Sequence, residues 1–284
     1  MKINKTSPDE SKYLKIISSI AQKPKRLWFV GNLPEKRWPT VAIVGTRKPT
    51  SYGREMAHRL SYELATRGVV IVSGLALGID GIAHRAALEA GGITIAVMAG
   101  GLDAIHPRTH RSLAVDIITN GGALISEYGA GEPAYKQNFI ARNRIVSGIS
   151  DVVVVIEASK RSGTIHTASF ALEQGRTVMA VPGNITSPAS AGCNTLIKTG
   201  AAPVTEVADI LQELGLAEQP TSVPLGDSPE EQIILRLLTD GLRDGDTIQK
   251  QSGLAPALFG QTLTMLEIRG KIRALGANQW TIGQ

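Results

Sequence analysis

One cysteine, Cys193, stands in a chain of 284 residues. It excludes an intramolecular disulfide framework and any multi-cysteine zinc site, and it fits a reducing compartment. Long apolar runs are missing too. Stretches such as Val152–Ile156 fall far short of the roughly 20 residues that span a bilayer, and the opening MKINKTSPDESKYLK has no signal-peptide apolar region. A cytoplasmic protein without a membrane anchor is expected. Enzyme signatures are equally scarce. No G-x-G-x-x-G follows the first strand-like run, and neither G-x-x-x-x-G-K-[ST] nor G-x-S-x-G occurs, which argues against dinucleotide, ATPase and hydrolase chemistry. Only His106 and His110 share an i, i+4 spacing, and Pro107 between them interrupts a metal-binding helix. Asp80, Glu127 and Glu157 follow or flank strand-like runs, where helix capping or arginine pairing is the simpler role for each. No catalytic residue, metal ligand or cofactor is expected.

The chain is 43% hydrophobic and 19% charged, ordinary values for a folded globular protein. Its length suits one large domain or two unequal ones. The net charge of +5 invites a nucleic-acid reading, but the excess is local. Residues 1–39 hold nine Lys and Arg against three Asp and Glu, residues 40–227 hold 15 against 16, and residues 228–284 hold six against six. A nucleic-acid site in the body must therefore be built from clusters, because no global positive field supplies it.

From Val41 to about Leu214, short apolar runs alternate with helical patterns. The runs are Val41–Val44, Val69–Val72, Thr94–Met98, Ala123–Ile125, Val152–Ile156 and Thr177–Val181. They are too uniformly apolar for a sheet with one wet face, so the spacing predicts a parallel sheet covered by helices on both sides. Helices are predicted over Tyr52–Arg67 and Ile79–Ala90, with apolar stripes and glycine stops. Residues 215–227 read as a linker. Beyond it, Ser228, Pro229 and Glu231 form a capping-box pattern. A short helix around Thr247–Gln251, a longer one over Pro256–Arg269 and a two-stranded wing turning at Gly276–Asn278 complete a winged helix. Residues 1–39 are expected to form a basic arm.

In an open parallel sheet, ligands bind beyond the carboxyl ends of the strands. The loop after the first run, GTRKPTSYG, offers Gly45, Thr46, Arg47 and Lys48 at a helix N-terminus, a natural anion site. The second run leads into SGLALGID, with Ser73, Gly74 and Leu75 at the turn. Ser162, Gly163 and Thr164 open a later helix, where small hydroxyl residues both cap and bind phosphate. In KQNFIARNRIVSGIS, Lys136, Phe139 and Arg142 mix an aromatic ring with cations, as a single-strand groove does. Arg142 and Arg144 lie about 200° apart on a helix, so one of them, Arg144, is expected to be structural and paired with a carboxylate. Core packing is the simpler role for Phe139 taken alone.

The succession GTRKPTSYG, VSGLALGIDGIAHRAAL, GGLDAIHP, ISEYGAGEP, FIARNRIVSGIS, VVVIEASKRSGTIHTASFALEQGR and VPGNITSPASAGCNTLIKTGA resembles the DNA-processing protein A family (DprA, also called Smf) over roughly 170 collinear residues. The resemblance implies an extended Rossmann-like, doubly wound, mostly parallel sheet over residues 40–214 and a winged helix over 228–284. It implies single-stranded DNA binding without catalysis, delivery of the strand to RecA in transformation and recombination, and a homodimer formed near residues 165–215. It places the DNA pocket at Arg47, the SGLALGID turn, Lys136, Phe139 and Ser162–Thr164. Three departures stand out. Leu77 replaces a frequent arginine, and only about 40 residues precede the first run, too few for the helical SAM-type module many members carry. The helix Pro256–Ile268 has no Lys or Arg, so duplex binding by it lacks phosphate contacts. Its Leu258, Leu263, Leu266 and Ile268 are expected to serve its own core, and Gln261, Thr262 and Thr264 to face a partner protein. The rival reading is a nucleotide N-glycosidic-bond hydrolase of the LOG, lysine-decarboxylase-like group. Thr167 stands where that group's PGGxGTxxE motif places its catalytic glutamate.

Overall fold

A computed structural model describes residues 2–216, 226–276 and 278–282. The chain divides into two units, Met1–Ala217 and Glu218–Gln284. Most of the expected linker lies outside the described residues.

The first unit builds its sheet from apolar runs too short for helices. Five strands, β3 (Thr40–Val44), β4 (Val70–Ser73), β5 (Thr94–Met98), β6 (Ala123–Ser126) and β7 (Val152–Val155), are buried along their whole length, with β8 (Thr177–Ala180) and β9 (Ala202–Pro203) beyond them. All seven run parallel. Two further strands, β1 (Asn4–Thr6) and β2 (Leu27–Gly31), add antiparallel on β6. Among the described residues the order is β1-β2-β6-β5-β4-β3-β7-β8-β9. The chain thus winds outward from β3 in one direction, returns to β7 beside it and winds the other way.

Alternate residues of each strand face opposite sides. Val41, Ile43, Ile71 and Val154 pack with α1 (Ser51–Thr66), α2 (Ile79–Glu89) and α7 (Val207–Glu213). Near the β6 end of that side, α3 (Arg111–Thr119) covers Ala96, Met98 and Leu124. Ala42, Val44, Val72 and Val153 meet α4 (Lys136–Gly148), α5 (Thr164–Glu173) and α6 (Ala191–Lys198) on the other. Both faces are dry, as uniformly apolar strands require.

The expectation of a basic arm is corrected. Tyr13, Leu14 and Ile17 are fully buried around a 3-10 helix, Leu14–Ser19, that packs on the α4 face. The Tyr13 hydroxyl bonds Thr40 Oγ1 at 3.0 Å, and Arg37 pairs with Asp151 at 2.6 Å. Burial of these apolar side chains outweighs the repulsion of nearby lysines, most of which are exposed and well screened.

The second unit holds α8 (Pro229–Thr239), α9 (Gly245–Ser252), α10 (Pro256–Ile268) and a hairpin of β10 (Ile272–Gly276) and β11 (Gln279–Ile282). Ile234, Leu235, Leu238, Ile248, Phe259, Leu263, Leu266 and Ile272 form its separate core. This is a winged helix. Ser228 caps α8 by accepting from Glu231 N at 3.2 Å, but the reciprocal bond differs from the expected box: Glu231 Oε2 accepts from Asp227 N, at 2.8 Å. Glu231 instead joins Asp227 in holding Arg269 and Lys271. Two expectations for α10 are also corrected: Leu258 and Ile268 are exposed, and Thr262 is buried.

Candidate nucleic-acid interface

The winding reverses between β3 and β7, the switch point beyond whose strand ends open α/β sheets bind ligands. Glu157, buried just past β7, organises the loops there. Its carboxylate accepts from Thr50 N at 2.8 Å and Thr50 Oγ1 at 2.6 Å, and its carbonyl accepts from Thr46 N at 2.8 Å. The loop from Gly45 to Thr50 is thereby clamped at both ends, and Arg47 and Lys48 project from it, exposed. The neighbouring β4–α2 turn packs backbone to backbone on this loop. A Cβ on Gly78, whose φ is +81°, would run into Thr46 O and lie 2.7 Å from Arg47 Cα, so only glycine fits.

Phe139 is the centre of the rim. It is half-buried and lies outside the hydrophobic clusters, so it packs at the rim and not in the core. The Arg47 guanidinium lies 5.5 Å from its ring centroid, and the His106 ring meets it edge-on at 5.4 Å. Both distances suit cation–π and T-shaped packing. Lys136, one turn earlier on α4, is exposed. Arg47, Lys48 and Lys136 have no carboxylate within ion-pair distance among the described residues. His106 is the member of this group that sequence reasoning set aside, because the histidine spacing was weighed only for metal. Among the described residues no group of His, Cys, Asp or Glu could hold a metal ion.

Arg142 does not belong to the rim, and its expected direct contact with DNA is corrected. It is 5% exposed and donates to Gly74 O at 2.7 Å and to Val97 O. Its guanidinium occupies the space a Cβ on Gly74 would need. Burial lowers its pKa to about 10, opposed by the charge of Asp80, so it stays protonated at neutral pH. Asp80 accepts from Gly74 N at 3.1 Å and Ala76 N at 3.3 Å, and burial raises its pKa against the pull of Arg142. Together the pair shapes the SGLALG turn from below. Arg144 pairs with Glu127 through two bonds of 2.7 and 2.8 Å, the carboxylate partner expected of it. Asp80, Glu127 and Glu157 thus serve three separate partners.

The other expected residues are placed unevenly. Ser73 is buried and donates to Ile43 O at 2.6 Å. Leu75 is fully buried with φ +57°, and His110 Nδ1 lies 2.9 Å from its carbonyl. These two side chains build the turn and are closed to a ligand, which corrects their place among contact residues. Gly74 is buried beneath the turn. At the start of α5, Thr164 N donates to Ser162 Oγ at 3.2 Å and Ile165 N to Ser162 O at 3.1 Å. Gly163 is exposed and Ser162 half-exposed, so this turn offers its Gly163 edge and little more.

The model of the DNA recombination-mediator protein A family matches residues 4–215, and that of the DprA winged helix domain matches residues 217–278. Protein Smf of Escherichia coli is 49% identical over 191 residues, which is 67% of this chain and 51% of that protein. A putative DNA processing protein DprA of Mycobacterium tuberculosis is 41% identical over 257 residues, 87% of this chain and 66% of its own length. The chain therefore spans between half and two thirds of these relatives. The solved structure of DNA processing protein A from Streptococcus pneumoniae matches with a TM-score of 0.69 at 40% identity, covering 75% of each chain. That from Helicobacter pylori, whose structure describes a single-stranded DNA binding mode, matches with a TM-score of 0.66 at 32% identity, covering 75% of this chain and 96% of its own. With one family model matching nearly the whole first unit and another most of the second, the chain belongs to the DNA recombination-mediator protein A (DprA/Smf) family.

Proposed function

We propose that this chain binds single-stranded DNA at the switch-point rim, without catalysing a reaction on it, and delivers the strand to a recombinase of the RecA type. The observation that carries the reading is Phe139: a half-buried ring held by Arg47 and His106, beside Lys136, which has no ion-pair partner among the described residues. A ring exposed among cations stacks on a base while the cations meet the adjoining phosphates, and it tolerates any sequence because every base has a π-face. Duplex DNA hides those faces. Gly45, Thr46 and Lys48 on the loop after β3, with the Gly163 edge on the loop after β7, are assigned the remaining phosphate contacts in this reading. The hydrolase reading finds less support, since Thr167 is buried and carries no carboxylate.

Delivery to RecA and action in transformation or recombination are supported by family membership. So is a homodimer formed near residues 165–215, in which two rims sharing one strand would raise the effective concentration of the second contact. The test is a mobility-shift titration with oligo-dT and matched duplex at two salt concentrations. Preference for the single strand and a steep loss with salt are expected. Equal affinity for duplex, or hydrolysis of a nucleoside monophosphate panel, would overturn the reading.

A further inference from the structure

The basic N-terminal segment returns to this same rim. β2 runs antiparallel to β6 and pairs Trp28 with Ser126, the last residue of β6. The start of β2, with Lys25 and Arg26 just before it, therefore lies at the carboxyl edge of the parallel strands, at the far end of the row of loops that begins at the switch point. Within residues 2–39, Lys23 and Arg37 pair with Asp9 and Asp151, whereas Lys25 and Arg26 are exposed and have no such partner among the described residues.

Aromatic rings occupy the interval. The half-exposed Trp28 ring borders the β6–α4 loop, where a Cβ on Gly129 would lie 3.6 Å from its Cζ2. That loop carries half-exposed Tyr128 and ends at Tyr135, which is 59% exposed and one helical turn before Phe139. Of the carboxylates along it, Glu127 alone has a counter-cation among the described residues; Glu132 and Asp103 keep their charge and are held to the loop's backbone. Glu127 binds Arg144, Glu132 accepts from Gly129 N at 2.6 Å, and Asp103 accepts from Gly131 N at 2.9 Å.

We propose that single-stranded DNA seated at the switch point continues along this rim, over Tyr135 and Trp28, to a terminal phosphate contact at Lys25 and Arg26. The proposal rests on the single-strand reading above. From β3 to β2 the sheet spans four inter-strand steps, roughly 19 Å, so the far contact is reached by a long strand and missed by a short one. Cations at both ends with rings between them are the pattern of a sequence-tolerant single-strand groove. The antiparallel β2 is what brings the charge here, because a parallel strand in its place would start at the opposite edge.

The test is fluorescence anisotropy with labelled oligo-dT of about 3 and about 20 nucleotides, the shorter unable to span roughly 19 Å even with its backbone extended. The Lys25→Glu/Arg26→Glu double variant is compared with wild type and with Lys12→Glu/Lys36→Glu. The latter pair lines a cavity with Asn32, Trp38, Ile93 and Gly121, at the opposite edge of the sheet, and makes the same change in net charge. The first variant is expected to lose tenfold or more on the long oligonucleotide and less than threefold on the short one, and the second less than threefold on both. No loss on the long strand, equal loss on both lengths, or equal loss in both variants would overturn the track. Thermal melting checks folding, and Lys25→Gln/Arg26→Gln carries the same test should the charge reversal disturb it. Tyr135→Ala should weaken long-strand binding and Tyr135→Phe should not. If wild type binds neither oligonucleotide, the single-strand reading itself fails, an outcome distinct from a wild type that binds with unaffected variants.

Discussion

In the first unit, Arg47, Lys48 and Lys136 stand at the rim with no carboxylate in reach among the described residues. In the second, two of the three cations that follow α10 are spoken for: Arg269 lies 2.5 Å from Asp227 and 2.9 Å from Glu231, and Lys271 lies 3.1 Å from Asp227 and 3.6 Å from Glu231. Apart from its N-terminal segment the first unit holds 15 Lys and Arg against 14 Asp and Glu, and the second holds six against eight, so net charge barely separates them. Pairing does. An unpaired surface cation is available to a phosphate, whereas one already held by two carboxylates must first give up that stabilisation. The α10 surface that a winged helix presents to duplex DNA carries Leu258, Met265 and Ile268 exposed, and no cation.

The contrast is sharpest inside the first unit, between the buried Arg142 and the exposed Arg47. Arg142→Ala should cost about 3 to 5 kcal/mol of stability, because it leaves Asp80 buried without its countercharge and the carbonyls of Gly74 and Val97 without a donor. Urea unfolding would measure it, and a loss below about 1 kcal/mol would place Arg142 with the rim cations. A neighbouring buried group gives the next largest effect. Burial pushes the His84 pKa down to about 3, reinforced by the charges of His110, Arg142 and Arg85. Its Nδ1 lies 2.6 Å from Thr94 Oγ1, and its Nε2 has no partner among the described residues. Below pH of about 6.5 the unfolded chain takes up a proton that the folded chain refuses, so this group makes stability fall as pH falls, by about 1.4 kcal/mol per unit until the pH nears the folded value. His84→Asn should flatten that part of the stability–pH curve between pH of about 6 and 4.5, and an unchanged slope would assign the loss to other groups.

Much of this was legible in the sequence, for reasons that particular residues make plain. The runs from Val41 and Val152 are β-branched and uniformly apolar, and local composition is enough to mark a strand buried on both faces. Arg47, Lys136 and Phe139 were legible because they lie on short segments whose exposure follows from the loop or first helical turn that carries them. Arg142 was not: its partners are the carbonyl of Gly74, 68 residues away in the chain, and that of Val97, 45 away, and no local pattern reports a carbonyl's direction. The strands β1 and β2 were missed because three and five residues among lysines offer too little apolar periodicity. Counting charge over residues 1–39 also concealed the buried Tyr13, Leu14 and Ile17. His106 was missed because its role is to steady another ring, a relation that spacing along the chain cannot show.

At the rim, Arg47→Ala and Phe139→Leu should each weaken single-strand binding by about 1 to 3 kcal/mol while changing stability by no more than about 0.5 kcal/mol for Arg47, which is fully on the surface. Phe139→Leu keeps most of the apolar contact with His106 but loses the π-face. Unchanged affinity in a folded Phe139→Leu would return the residue to packing. Lys136→Ala should also weaken binding through one lost phosphate contact, and its salt dependence should be shallower than that of wild type.

The smallest effect is expected from removing the second unit altogether. Its core of Ile234, Leu235, Leu238, Phe259 and Leu266 is drawn entirely from its own helices and hairpin, and the clusters of the first unit draw only on residues before 217, so a chain ending at residue 217 keeps its own core. The winged helix brings no cation on α10, holds Arg269 and Lys271 in ion pairs, and sets eight negative charges against six positive, so its field does not draw the strand in. Side-by-side titration of the full and shortened chains with the same oligonucleotide should agree within about threefold, a difference of roughly 0.7 kcal/mol. The far-UV spectrum and melting of the shortened chain confirm that it is folded before the comparison is made. A loss of tenfold or more would mean that Arg236, Arg243, Lys250 or Arg273, the exposed cations of the second unit that lie outside the Asp227–Glu231 cluster, reach the DNA, and single alanine variants at those four positions would show which of them does.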